Sequence, residues 1–199
     1  MIRDHCARNL QFGLHLLWPH GRADAGGLAV RHRYGIVLDK QYFNFGSAHF
    51  LIFADGTREE LHGHNYRATL ELDADLDSGH VVADFIVVKP LFKRCCDELD
   101  HRTLLPLNHP KLQIEATDQQ VRAFFTNPDG SVDDYVVPRR DVHLLDIANT
   151  SSELLACWLM DRFLGLLKVA LPSLRLQRIL VTVQESPGQS AVHERFFDA

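Results

Sequence analysis

The sequence contains no apolar stretch that approaches a membrane span, and its first residues lack the ordered basic region, apolar core and cleavage site of a secretory leader. Cysteine is scarce. Cys6, Cys95, Cys96 and Cys157 make no zinc-type spacing, and adjacent Cys95-Cys96 is a poor disulfide framework. A reducing, cytoplasmic setting is the reading that follows. There is no basic run, and 21 Lys+Arg against 26 Asp+Glu leave a net charge of −5, so nucleic acid and anionic membrane are poor candidates for the main partner. There is no internal repeat and no low-complexity tract. What remains is 199 residues, 46% hydrophobic and 24% charged, the balance of one globular core or of one domain with elaborations.

Histidine, by contrast, is plentiful, and three of the twelve stand out. His62-Gly63-His64 places two imidazoles at i and i+2, which in a strand share one face. Asp55-Gly56 is a hairpin turn signal. A tight hairpin centred there sets His49 opposite His62, with His64 diagonal and within reach. Three neutral imidazoles with an open fourth position describe a catalytic zinc site. His5, His15, His20, His32, His80, His109, His143 and His193 have no such company and read as solvated or core residues.

Residues 1–30, with the breaker-rich Arg22-Ala23-Asp24-Ala25-Gly26-Gly27, read as a poorly ordered N-terminal extension. The domain proper is expected over 31–199. Ile36-Val37-Leu38 and Tyr42-Phe43-Asn44-Phe45 have strand character, the latter continuing into Ala48-His49-Phe50; Tyr66, Ala68, Leu70 and Leu72 alternate with Arg67, Thr69 and Glu71. Val88, Leu91, Phe92, Cys95 and Leu99 follow helical spacing, with Pro90 fitting a first turn. His101 to Pro110 reads as a loop, and Leu112 to Val137 as additional β structure turning at Asn127-Pro128-Asp129-Gly130. A second helix is expected from about Ser151, capped there and ended by Pro172, followed by strands over Ile179 to Val183 and Val192 to Phe197. The order β-β-α-(β insert)-α-β-β is an α+β pattern: antiparallel sheet, helices on one side.

Several segments carry a resemblance. Phe45-Gly46-Ser47-Ala48-His49-Phe50, Leu61-His62-Gly63-His64-Asn65-Tyr66, Val81-Val82-Ala83-Asp84-Phe85, Glu98-Leu99-Asp100-His101-Arg102, Asn149-Thr150-Ser151-Ser152-Glu153-Leu154-Leu155-Ala156 and Val183-Gln184-Glu185-Ser186 stand in this order. Together they resemble the 6-pyruvoyl-tetrahydropterin synthase / 6-carboxytetrahydropterin synthase family from about Ile36 to Ala199, interrupted by an insertion near 111–142. The resemblance implies a tunnelling fold: a four-stranded antiparallel sheet with two helices on one face. It also implies a homo-oligomer, trimer or hexamer, with active sites at subunit interfaces, which would remove exposed sheet edges. Zinc (Zn2+) on His49, His62 and His64 and a 7,8-dihydroneopterin triphosphate-like pterin substrate are implied with it.

One departure bears on the chemistry. The family's usual base is a cysteine four residues before the first histidine of the triplet, and Arg58 stands there instead. Glu59 and Glu60 follow. Some family members use a loop glutamate in the cysteine's place, and a glutamate, with an ordinary pKa of about 4.3, can accept a proton near neutral pH. Glu59, nearer the vacated position, is slightly preferred; the plain alternative is a solvated acidic pair. Asp100-His101 fits the second arm of a proton shuttle, or else a helix end with a surface histidine. Glu185 fits a bidentate acceptor for the amino and ring N–H groups of a pterin. Thr150, Ser151 and Glu153 fit either substrate contacts or a helix cap, and Asp84 a cap. Three functions follow: a zinc-dependent pterin lyase of the carboxy or pyruvoyl type; an aldolase-like cleavage to 6-hydroxymethyldihydropterin for folate synthesis; and a non-catalytic pterin- or metal-binding module.

Overall fold

The expected alternation over Tyr66–Leu72 lies at the centre of the longest strand, β3 (His62–Ala74), whose even-numbered residues Tyr66, Ala68, Leu70 and Leu72 are all fully buried. The computed structural model describes residues 32–198; the extension expected over 1–30 lies outside the described residues. One edge of β3 pairs with β1 (Gly35–Leu38) and then β2 (Asn44–His49), both antiparallel. The other edge pairs with β9 (Leu176–Ser186), which pairs in turn with β10 (Gln189–Phe196). This is the expected four-stranded antiparallel sheet, with β1 and β2 as one interrupted strand.

The sheet is wider than expected. β4 (Arg102–Pro106) runs parallel to β2, and β8 (Val142–Leu145) runs parallel to β4, giving a seven-stranded mixed sheet in the order β10-β9-β3-β2-β4-β8 with β1 beside β3. β4 occupies part of the segment read as a loop. Its consecutive Leu104 and Leu105 are both buried because each joins a different core, so the segment shows no period-two alternation, and Pro106 reads as a breaker.

Two helices cover one face of the sheet. α1 (Phe85–Leu99) is capped by Asp84, whose carboxylate accepts from the Ile86 N–H at 2.7 Å. Pro90 falls inside α1 rather than in its first turn, and the carbonyl it leaves without a helical partner belongs to Ile86, a highly exposed residue that water can serve. α2 (Ser152–Ala170) starts on Ser151, whose hydroxyl accepts from Leu154 N–H. Phe92 of α1 meets Phe43 and Phe163 edge to face at ring distances of 5.1 and 5.6 Å, and an Arg162–Glu98 fork joins the helices. Burying a phenylalanine in such a core stabilises by about 1.5–3 kcal/mol. The opposite face is polar: Arg178 pairs with Glu71, Asp73 and Glu194.

The expected β insertion is a separate antiparallel sheet of β5 (Leu112–Ala116), β6 (Gln120–Thr126) and β7 (Val132–Pro138). Its inner residues Leu112, Val121, Ala123 and Phe125 form a second core with Phe50, Ile52, Leu105 and Val142. The insertion therefore packs on the segment that directly follows His49. Among the described residues, no helix is long and apolar enough to cross a membrane.

Candidate active site

The pairing of β2 with β3 sets His49 opposite His62 and Ser47 opposite His64. The expected register is observed, but the turn that produces it is different. Gly56 N–H donates to Phe53 C=O and Phe53 N–H to Thr57 C=O, so three residues, not two, form the tip, with Gly56 at φ +86°. Ile52 then pairs with Arg58, and Glu59 N–H reaches Leu51 C=O. That register is one residue off the one at His49. A bulge at Glu60-Leu61 takes up the difference and returns His62 to its place opposite His49.

The bulge also separates the two glutamates. Glu59 turns inward: its carboxylate accepts from Leu51 N–H at 3.1 Å and lies 3.9 Å from His62 Nε2. The Glu60 side chain is 98% exposed and points away from the histidines toward Arg58, 3.9 Å from its guanidinium.

One ring nitrogen from each of His49, His62 and His64 lies within 4.8 Å of the others. His49 is fully buried, and its Nδ1 donates to the Thr150 carbonyl at 3.0 Å; His62 Nδ1 donates to the Glu60 carbonyl at 2.8 Å. A carbonyl can only accept, so both protons are assigned to Nδ1, and each Nε2 keeps its lone pair. Backbone acceptors that fix the tautomer and orientation of two imidazoles are the usual outer support of metal-ligating histidine, and this donor set fits a divalent metal. Burial holds His49 below the ordinary imidazole pKa and therefore neutral; the Thr150 hydrogen bond opposes this, and the neighbouring His62 reinforces it.

Two further groups complete the cluster, and a third braces the hairpin beside it. Glu185 Oε1 lies 3.6 Å from His49 Nε2 and 3.5 Å from His64 Nε2. The Tyr66 hydroxyl stands 2.8 Å from His49 Nε2 and 3.3 Å from Glu185 Oε1. Burial, with the Glu185 carboxylate beside it, pushes the Tyr66 phenol far above its ordinary value, so it stays protonated. Period-two alternation already places Tyr66 on the face of His62 and His64; its burial gave no sequence hint of a polar role. Asn149, also unassigned in the sequence, clamps Ile52 by donating to its carbonyl at 2.8 Å and accepting from its N–H at 3.2 Å.

Thr150 is fully buried, and its hydroxyl donates to Phe50 C=O at 2.9 Å. Its carbonyl is the group that reaches the triad. Ser151, Ser152 and Glu153 border a small open cavity together with Glu185 and Leu51; the Ser152 hydroxyl itself is buried and has no protein partner. A larger, mostly apolar cavity of about 560 Å³ between the end of α2 and β9 contains none of these groups.

Asp100 and His101 are joined to each other at 2.9 Å but not to the triad. Asp100 Oδ1 accepts from Gly46 N–H at 2.7 Å, and a Cβ placed on Gly46 would approach Asn65 and Asp100. Asn65 alternates with His64 and Tyr66, so Asp100 lies toward the opposite face of the sheet. Burial raises the Asp100 carboxyl, but the Gly46 N–H and His101 outweigh it and hold it below the usual carboxylate value. The His101 ring is 87% exposed.

Fold and site together define an α+β protein with a histidine-rich centre at the open end of its helix-covered sheet face. The chain belongs to the 6-pyruvoyl tetrahydropterin synthase family, a family of lyases, which it matches over residues 38–195. A Methanocaldococcus jannaschii protein with the provisional name 6-carboxy-5,6,7,8-tetrahydropterin synthase is 32% identical over 155 residues, 77% of this chain and 91% of that one. A Pyrococcus horikoshii protein of the same provisional name is 27% identical over 134 residues, 64% of this chain and 74% of that one. The crystal structure of the Plasmodium vivax 6-pyruvoyl tetrahydropterin synthase superposes with a TM-score of 0.74 at 29% identity, covering 84% of this chain and 100% of that one. Two further structures of that enzyme carry alanine or cysteine in place of a glutamate described as a catalytic residue.

Proposed function

We propose that this chain is a zinc-dependent pterin lyase acting on 7,8-dihydroneopterin triphosphate, with His49, His62 and His64 as metal ligands and Glu59 as the base. The observation that carries the reading is the inward-turned Glu59 carboxylate beside His62, in a loop whose usual cysteine is replaced by Arg58. The glutamate called catalytic in the P. vivax relative supports it. When bound, zinc would supply Lewis acidity to side-chain oxygens of the substrate and so acidify the adjacent C–H. Glu59 accepts that proton. Glu185, Ser151, Ser152 and Glu153 border the cavity that receives the pterin, with Glu185 taking its N–H groups as a carboxylate acceptor. With His49 Nε2 taken by a metal, the single proton of buried Tyr66 is left for Glu185, 3.3 Å away, and holds its carboxylate in place.

Asp100–His101 makes no hydrogen bond or ion pair with the triad within one chain, and Asp100 lies toward the opposite face of the sheet, which supports a homo-oligomer whose neighbouring copy brings this pair to the substrate as the second arm of the shuttle. The unpaired edges of the sheet, β10 among them, are the surfaces such an assembly would close.

Glu59 in the base position favours a second outcome for the same substrate, the aldolase-like cleavage to 6-hydroxymethyldihydropterin. Metal-loaded protein incubated with dihydroneopterin triphosphate, with products identified by mass spectrometry, separates the two. Elimination of inorganic triphosphate with a carboxy- or pyruvoyl-substituted pterin marks the carboxy or pyruvoyl type; 6-hydroxymethyldihydropterin, with the other two side-chain carbons leaving as glycolaldehyde or its triphosphate ester, marks cleavage. Glu59→Gln should lower turnover by roughly 10²- to 10⁴-fold, while Glu60→Gln changes it little. Full turnover in Glu59→Gln would remove Glu59 as the base, and no turnover by any metal-loaded assembly would leave a binding module.

A further inference from the structure

Arg58 stands where a cysteine base is expected, yet its guanidinium is not free to meet a substrate. Its side chain is only 12% exposed. It lies over three rings, with its central carbon 5.6 Å from Phe50, 5.8 Å from Phe125 and 5.3 Å from Tyr135. Nε and Nη2 both donate to Asp133 Oδ2, at 2.8 and 2.5 Å. Nη1 donates to the Glu59 backbone carbonyl at 2.6 Å. Asp133, Phe125 and Tyr135 all belong to the inserted sheet, on β6 and β7. The Asp133 carboxylate is itself steadied by Asn127 Nδ2 at 3.0 Å, and Asn127 together with Arg58 holds it below the usual carboxylate range.

We infer that the inserted sheet is the positioning device of the Glu59 loop, with Arg58 as the positioning residue that couples Asp133 of the insertion to the Glu59 backbone. The inference rests on the reading of Glu59 as base. The physical need is clear. The hairpin tip from Phe53 to Thr57 is exposed for the most part, and the bulge at Glu60-Leu61 weakens pairing on the other side of Glu59. A carboxylate between a loop tip and a bulge has little strand pairing to fix it, whereas a catalytic group displaced by about 1 Å can lose on the order of 100-fold in rate. Arginine suits this role because its planar fork bonds a carboxylate and a carbonyl at once, stacks on aromatic rings and stays charged. The loop that gives up the cysteine thereby acquires an anchor, and the insertion has a role that loop length alone does not explain.

The test uses the full-length, metal-loaded protein. Asp133→Asn removes the charge-assisted pair at constant shape, and Arg58→Lys keeps the charge but loses the fork. Asp134→Asn, which breaks the exposed Arg122–Asp134 pair, serves as control. Metal content is read by elemental analysis, kcat and KM by product formation, and loop order by hydrogen exchange of residues 53–61. Asp133→Asn and Arg58→Lys should lower kcat by roughly 10- to 100-fold with KM and metal content unchanged, and should speed exchange across 53–61. On a Glu59→Gln background neither should add further loss, because the group they position is gone. Unchanged exchange and kcat in Asp133→Asn and Arg58→Lys, or an undiminished loss on the Glu59→Gln background, overturns the inference. If Glu59→Gln itself turns over normally, the reading of Glu59 fails, while the exchange result still decides whether the insertion anchors the loop. If one variant does not fold, the other carries the same readouts.

Discussion

Asn149→Ala tests how the triad is held from outside. In the hairpin, Ile52 faces Arg58 as the pair that does not exchange hydrogen bonds, so its own N–H and C=O point away from the partner strand. Ile52 is 4% exposed, and Asn149 serves both groups while its Oδ1 also accepts from Thr150 N–H at 3.0 Å. Removing the amide takes the partner from three backbone groups, the N–H and C=O of Ile52 and the N–H of Thr150. A buried unsatisfied group costs roughly 1–3 kcal/mol, and Asn149 is only half-buried, so water can serve part of the need; the expected loss is about 2–4 kcal/mol. The damage is next door to the metal centre, because the Thr150 carbonyl orients His49. Loss of such outer support weakens metal affinity by about 10- to 100-fold. Urea unfolding of the metal-free protein at fixed concentration measures the first effect, and competition with a chelator the second. A stability loss under about 0.5 kcal/mol, the level of an ordinary surface substitution, with unchanged metal affinity would refute a supporting role for Asn149 at the centre.

Two further outcomes follow from the same geometry. Tyr66→Phe keeps the ring stacked on Phe45 at 4.9 Å but removes the hydroxyl at His49 Nε2. A lone pair at Nε2 serves either that O–H or a metal, so metal-free protein should lose about 1–3 kcal/mol, metal-loaded protein less, and metal affinity should rise; weaker metal binding in calorimetric titration would overturn this linkage. Burial pushes the Cys95 and Cys96 thiols up to about 12, so neither should react with iodoacetamide at pH 8 until denaturant is added; labelling of the native protein, mapped by mass spectrometry, would show that the α1 core opens.

At the hairpin, His49 and His62 pair as the Asp55-Gly56 signal predicts, but the predicted two-residue turn is a three-residue turn followed by a compensating bulge. Turn chemistry marks where a chain reverses; whether a later residue is looped out depends on contacts with other elements. Here Arg58, held by Asp133, lies immediately before Glu59 and the looped-out pair. β4 escaped the sequence reading for a related reason. It is a short strand between two cores, so both neighbouring leucines are buried and no period emerges.

The sequence by itself determined the face on which three imidazoles gather, the long alternating strand, the two capped helices and the family motifs. These are local properties, set by side-chain period, cap chemistry and residue order. Only the tertiary structure decided which glutamate turns inward, that Thr150 reaches His49 through its carbonyl, that Tyr66 and Asn149 belong to the centre, and that Asp100–His101 lies toward the other face. Each of these depends on partners 8 to 101 residues away in the chain, and no local pattern records which distant backbone group a side chain will meet. The arginine in the cysteine's place shows the same division: the sequence marks the substitution, and the inserted sheet packed over it gives Arg58 its partners.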